Sequence, residues 1–429
     1  MNSEWTKGLI RDYLQLSNGQ SRPEEGGHLN VYGSNGVIGS CREENSPANT
    51  IIIGRVGTYC GSVHYSSYKC WVTDNAIKVV PKNGYSSRFF YYLLKKYDLG
   101  RLRTGSGQPL LNQTILNNIE VNIPSYDEQK AIAHILGTLD DKIELNRQMN
   151  KTLEAMAQAL FKSWFVDFDP VIDNVLAAGN DIHDELKARA AARQALGDQR
   201  KPLPPEIQRQ FPDKFVLSDE MGWIPEGWNF QSVYDVAKFV NGSAFKSKDF
   251  SSEKSGLPII KIAEIKNGIS GQTKFSTQKF EAKYLLSNGD LLFSWSGNPD
   301  TSIDTFIWGN GEGWLNQHIF KVLPATDHYS YVYSLLKFLK PEFTRIAGDK
   351  QTTGLGHVTI GDLKKLLITK SPASLLKTFD SNAGSMLDKW LDNFLGTRQL
   401  VVLRDTLLPK LMSGELRVPE VEKLVEEAV

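Results

Sequence analysis

The chain has 429 residues, 41% of them hydrophobic, and 49 Lys and Arg balance 49 Asp and Glu. That length is too great for one core and predicts two to four domains, while the absence of a long apolar run or a leader-like start at MNSEWTKGLI predicts a soluble cytoplasmic protein with no membrane partner. Cys41, Cys60 and Cys70 are odd in number and lack metal-ligand spacing, so they read as reduced thiols.

The first block, residues 1–124, holds short β-like runs separated by Gly, Asn and Ser turns: 50–53, 70–72, 76–80 and 119–123. Residues 87–97 read as one short helix. Between it and the last strand lies RLRTGSGQPLLNQ (101–113), a Gly-rich loop with two arginines and an amide. The block carries 13 Lys and Arg against 9 Asp and Glu.

From 125 to 168 the pattern changes to a long amphipathic helix. Ile132, Ile135, Leu139, Ile143, Met149, Leu153, Met156, Leu160 and Trp164 recur mostly at three- and four-residue steps, with one skip over polar Asn146. At 1.5 Å per residue such a helix is roughly 60 Å long, far more than a globular core needs, so the stripe reads as a coiled-coil seam. Gly137 interrupts it at a cost of about 1 kcal/mol. Residues 125–169 carry 5 basic against 8 acidic residues. A linker follows at 169–226, with a short helix at 181–196 and a Pro-rich connector. Its Phe211, Phe215 and Trp223, with Trp228 just beyond it, need an apolar dock, so it reads as structured.

Residues 227–373 then repeat the order of the first block. WLNQHIFKVLP (314–324) matches WVTDNAIKVVP (71–81), and DKQTTGLGHVTIGDLKKLLITKSP matches RTGSGQPLLNQTILNNIEVNIPS. This block has 17 basic against 13 acidic residues. A second long helix spans 374–416, with its seam at Leu376, Phe379, Ala383, Met386, Trp390, Phe394, Leu403, Leu407 and Leu411, and residues 417–429 read as a frayed acidic tail. The fold class is therefore α+β: two β-rich domains joined by two long antiparallel helices, a coiled-coil rod in a pseudo-twofold tandem duplication.

Catalytic signatures are missing. There is no Walker loop, HExxH or GxSxG, and no strand leads into GxGxxG. Asp213 with Glu264 and Lys266 imitates a nuclease triad only formally, and Asn298-Pro299-Asp300 falls short of an amino-methyltransferase motif. What remains is binding chemistry. Glycines let a backbone approach phosphate, and Arg with Gln is the pairing that reads guanine and adenine edges. The candidates are Arg101, Arg103, Ser106, Gly107 and Gln108, with Lys350, Gln351, Thr352, Thr353, Gly354 and His357 in the matching loop. Either loop alone reads as a surface turn; two at matching positions favour binding. Arg55, Tyr59, Trp295, Ser296 and Asn298, at the ends of matching strands, form a second rank, and packing explains Trp295 equally well.

The two variable blocks alternating with similar helices, together with LDDKIELNRQMNKTLEAMAQALFKSWFVDF, GWIPEGW and LLPKLMSGEL, resemble the specificity subunit of type I restriction–modification systems. The resemblance implies that each block is a target-recognition domain for one half of a bipartite, asymmetric double-stranded DNA site. It implies that the helices space the two domains and carry two methyltransferase subunits, which motor-nuclease subunits join. It further implies that this chain is non-catalytic and holds no cofactor, with S-adenosylmethionine, ATP and Mg2+ bound by partners. A scaffold that binds no nucleic acid, and a self-contained DNA-modifying enzyme with an unrecognised motif, are the competing readings.

Overall fold

A computed structural model describes residues 5–104, 110–351 and 354–428. The chain divides into two compact units. One comprises residues 1–145 with 397–429, and the other residues 146–396.

In the first unit a four-stranded antiparallel sheet is ordered Leu14–Asn18, Ala76–Pro81, Thr50–Gly54, Val63–Ser66. The strand Leu29–Gly33 pairs with Gly36–Cys41 on one side and runs parallel to Trp71–Val72 on the other. Thr6–Leu9 and Glu120–Ile123 form a separate ribbon. The helix Ser87–Lys96 starts where the Ser86 hydroxyl accepts from the Phe89 N–H, and it ends on Lys95 and Lys96, which suit its C-terminal dipole. It buries Phe89, Phe90, Tyr92, Leu93 and Leu94 in a core with Ile51, Ile53, Ile77 and Val79.

The second unit repeats this plan. Its four-stranded sheet is ordered Ala237–Asn241, Ile319–Pro324, Leu291–Ser294, Asp304–Ile307, again antiparallel throughout. Leu257–Ile260 runs parallel to Gly313–Leu315, the ribbon is Asn229–Ser232 with Leu367–Lys370, and the helix Tyr329–Phe338 stands where Ser87–Lys96 stands. The tandem duplication is thus present in the four-stranded sheet, the ribbon and the helix, while the smaller sheet has three strands in the first unit and four in the second.

The first long helix is Tyr126–Phe165 and the second Ala373–Leu411. In the first unit, Ile132, Ile135, Leu139 and Ile143 are buried as their spacing predicts and share a core with Leu400, Leu407 and Leu411. Asp140 pairs with Arg404 (2.6 Å) and Glu128 with Arg417 (2.6 Å). In the second unit, Phe161 meets Phe379, and the Asn150 amide donates to the Trp390 carbonyl (2.9 Å) and accepts from Asn393 (3.0 Å). Numbers rise on one helix as they fall on the other, so the pairing is antiparallel in each unit.

The seam differs from the expected one in its second half. Met156 is 49% exposed, and Leu153, Leu160, Met386, Trp390, Phe394 and Leu403 are only half-buried. The buried face reaches Trp164 as expected but runs to it through Asn146, Ala157 and Phe161, because Asn146 belongs to the seam rather than interrupting it. Met156 lies one residue, about 100°, off that face.

The expected acidic tail is also a correction. Val418–Ala428 is a helix whose Val421 and Val425 are buried in the first unit's core. Its apolar residues recur at three- and four-residue steps, which leaves the carboxylates a face of their own. The linker contains Asp184–Ala195, near the expected helix, and also Asp169–Ala178. Arg189 and Arg193 bind Asp169 and Asp173 across that pair. All four of these aromatics are docked: Phe211 on Trp164, Phe215 on Phe168, Trp228 on Phe165 and Phe168, and Trp223 stacked on His183.

Candidate nucleic-acid interface

In the first unit the backbone gathers the candidate residues at one end of the central sheet. The strand Thr50–Gly54 delivers Arg55, whose N–H donates to the Asn75 carbonyl (2.9 Å) and whose carbonyl accepts from Leu111 (2.9 Å). Its guanidinium donates to the Asp74 carbonyl (3.4 Å). Thr104 and Leu110 exchange two backbone hydrogen bonds, 2.9 and 3.0 Å, and so close the chain on either side of residues 105–109. Ser106, Gly107 and Gln108 lie outside the described residues. Gly61 has φ of +91°, and a Cβ there would stand 2.4 Å from the Gly100 N, so only glycine lets the segment carrying Tyr59 lie against the segment carrying Arg101 and Arg103.

Charge at this end is positive and open. Arg101 is exposed and, among the described residues, forms an ion pair only with Asp98 three positions earlier (2.7 Å). Arg103 is exposed and, among the described residues, has no ion pair or hydrogen bond. Burial pushes the nearby Cys60 thiol up, and the Arg103 charge draws it back. Tyr59 is 52% exposed, free to present its ring to a ligand.

The second unit builds the same lattice with other side chains. The Trp295 N–H points to the His318 carbonyl (3.4 Å) and the Trp295 carbonyl accepts from Val358 (2.8 Å), so Trp295 occupies the place of Arg55. Ser296 pairs with His357, as Val56 does with Leu110. The Trp295 indole donates to Asn241 (3.1 Å) and its ring lies against His318 and Phe320; it is half-buried and serves packing as well as display. Asn298 caps the turn Pro299–Ser302, its carbonyl oxygen accepting from the Asp300 and Thr301 N–H groups, so only its amide NH2 remains for a ligand. Gly354 has φ of +82°, the left-handed region open to glycine, and Gln351 is exposed. Thr352 and Thr353 lie outside the described residues.

Lys350 does not act as the loop's free cation. Asp362 holds it at 2.5 Å, and the same carboxylate accepts from the Thr359 N–H and hydroxyl at the start of the helix Ile360–Lys365. Burial works to raise the Asp362 carboxyl, but Lys350 and Thr359 overcome it and hold the group below the ordinary carboxylate range. Glu264, half of the formal nuclease pair, is buried and accepts from the Lys261 N–H and the Thr273 hydroxyl, a capping role. Among the described residues no three His, Cys, Asp or Glu side chains could hold a metal ion, and no helix is long and apolar enough to cross a membrane.

Sequence reasoning passed over the turns Asp74-Asn75 and Gln317-His318, which stand beside Arg55 and Trp295 at these ends. Their signal lay in the best-matching stretch of the repeat, where three adjacent polar residues, Thr73-Asp74-Asn75 against Asn316-Gln317-His318, differ between apolar or identical neighbours.

Comparison with known proteins follows the same division of the chain. The family model described as type I restriction modification DNA specificity domain matches twice, at residues 2–155 and 225–372. The type I restriction enzyme MjaIX specificity subunit of Methanocaldococcus jannaschii is 26% identical over 353 residues, 80% of this chain and 72% of that one. The HindI specificity subunit of Haemophilus influenzae is 26% identical over 329 residues, 72% of this chain and 71% of that one. The crystal structure of the S subunit of a type I restriction-modification system from M. genitalium superposes with a TM-score of 0.61 at 15% identity, covering 96% of each chain, which is a likeness of fold.

Proposed function

Because the chain belongs to the type I restriction–modification specificity family and carries two DNA specificity domains in tandem, we propose that each domain reads one half of a bipartite, asymmetric site in double-stranded DNA. The observation that carries this is the repeated backbone lattice around Arg55 and Trp295, which presents arginines in one unit and an amide, a histidine and an indole in the other. One frame with two sets of side chains reads two different half-sites. Arginine and amide groups suit base edges and phosphates, and the open charge of Arg101 and Arg103 supplies sequence-independent attraction.

The long helices carry two methyltransferase subunits and set the spacing of the half-sites, and motor-nuclease subunits join that assembly. S-adenosylmethionine, ATP and Mg2+ belong to those partners, the chain itself being non-catalytic and cytoplasmic. The duplication supports this, since two similar surfaces bind two copies of one partner.

The deciding experiment is to express the complete system and sequence the methylated positions in the host genome. A two-part consensus with an unread spacer is expected. No methylation dependent on this chain, or a single undivided site, overturns the reading. Spacing is tested on the same readout: four residues inserted near a helix end lengthen it by about 6 Å, nearly two base pairs at 3.4 Å each, so the unread spacer should grow by one or two pairs with both half-sites intact.

A further inference from the structure

We propose that the two-residue turns Asp74-Asn75 and Gln317-His318 are equivalent base-reading positions, one in each specificity domain. This rests on the proposed function and assigns residues to it.

Equivalence comes from hydrogen bonds rather than from alignment alone. The Asp74 N–H donates to the Gln20 carbonyl (2.8 Å), and the Gln317 N–H to the Ser243 carbonyl (2.9 Å). Gln20 bridges Thr73 in parallel, as Ser243 bridges Asn316. The carbonyls of Asn75 and His318 accept from Arg55 and Trp295, the matching strand ends. Each turn is therefore pinned on both sides by backbone while its side chains stay outside the lattice. Rigid elements hold a reading group more precisely than a free loop does.

The side chains fit that role. Asp74 and Asn75 are exposed, and among the described residues neither side chain has a hydrogen bond or an ion pair. His318 is exposed against the Trp295 ring, and the Gln317 amide lies 3.3 Å from its ring nitrogen. Of the flanking positions, Thr73 and Asn316 differ but are buried, and the rest change apolar for apolar or not at all: Trp71 with Trp314, Val72 with Leu315, Lys78 with Lys321. Asp74 is the more telling residue. A free carboxylate beside the Arg55 guanidinium, at the end bearing Arg101 and Arg103, repels phosphate and so weakens generic DNA affinity. It gains only where it accepts from a base amino group, cytosine N4 or adenine N6, in the major groove. Gln317 has the donor–acceptor pair that adenine N6 and N7 require.

The test uses the full chain assembled with its methyltransferase subunits and a duplex library randomised across the half-sites. Exchanging the turns, Asp74→Gln with Asn75→His and separately Gln317→Asp with His318→Asn, should alter preference at one or two adjacent bases of one half-site. Discrimination at the affected base should fall by roughly 5- to 150-fold, the range of one good bidentate pair. The other half-site should not move. The isosteric variants Asp74→Asn and Gln317→Glu change hydrogen-bonding character without changing shape, and each should shift one base; they decide the matter if an exchanged turn fails to fold. Unchanged preferences, or equal weakening on every sequence, overturn the proposal. If the unaltered assembly selects no two-part sequence, the function on which the proposal rests has failed, and that control separates the two failures.

Discussion

The two specificity domains share a scaffold to the level of single backbone hydrogen bonds, yet the corresponding ends differ in how they hold charge. In the first, Arg103 is exposed and without an ion pair among the described residues. In the second, Lys350 occupies the matching place and is bound to Asp362, whose own counterpart is Ile115. A similar contrast holds at the long helices. Arg88 in the first unit lies across Gly137, while its counterpart Ser330 stands clear of Gly384. Repetition conserves the frame and leaves each exposed or crossing side chain to its own local chemistry.

The largest effect should come from breaking the comparison outright. Replacing residues 1–124 with the corresponding domain of another family member is expected to change one half of the methylated site and leave the other intact. Sequencing methylated positions from several independent exchanges checks this; a change in both halves would show that the domains are coupled.

Next in size is the difference in charge. Arg101→Ala with Arg103→Ala should weaken binding to all duplexes and lower the salt dependence, since each phosphate left without its arginine reduces the slope of log K against log salt by about 0.9. Lys350→Ala, removing a cation already neutralised, should leave that slope unchanged. Titrations from low to moderate salt compare them directly, and an equal slope change for both would contradict the assignment of Lys350 to Asp362. A base-reading arginine would in addition cost about 1–3 kcal/mol on the cognate sequence alone.

What could be read in sequence and what could not divides along a physical line. Periodicity placed the long helix at 125–168 against the observed Tyr126–Phe165, within three residues at either end, because forty residues average out local exceptions. It misassigned Met156, since a hydrophobic residue one place off the face resembles one on it, and it passed over Asn146 because a buried amide looks like a break. The closing helix Val418–Ala428 was hidden by its carboxylates, which outnumber the two valines it buries. At the site, the Gly-rich loops announced themselves by composition. The turns at Asp74 and Gln317 did not, because their position depends on hydrogen bonds to Gln20 and Ser243 far away in the chain.

Gly137 shows the same limit and yields predictions of opposite sign. A Cβ at Gly137 would sit 2.6 Å from the Arg88 guanidinium carbon, and Arg88 donates to the Gly137 carbonyl (3.1 Å) and to Asp141. Gly137→Ala should gain about 1 kcal/mol of helix propensity but displace charged hydrogen bonds worth about 1.5–3 kcal/mol each. A net loss of about 1–2 kcal/mol is expected from those two ranges. At Gly384 the nearest atom is the Ser330 hydroxyl oxygen at 3.6 Å, an ordinary contact. Gly384→Ala should therefore stabilise the chain by about 0.5–1 kcal/mol. Chemical denaturation of the two variants checks both signs at once.

The smallest expected effect concerns acid. Short helices begin at matching places, Gln113–Asn117 capped by the neutral Asn112 and Ile360–Lys365 capped by Thr359 with Asp362. The Asp362 carboxyl is held below its ordinary value, so it favours the folded form at every pH above the ordinary carboxylate range, and that contribution disappears as pH falls through the folded value. Amide exchange should accordingly speed up over residues 359–366 as pH drops below about 4, after correction for the intrinsic rate, with no matching change over 112–118. Asp362→Asn should abolish the pH dependence and release Lys350, which then adds a cation to the second unit's loop and raises its salt slope toward that of the first. A pH-independent cap in the unaltered chain would mean that Lys350 and Thr359 do not hold the carboxylate in solution.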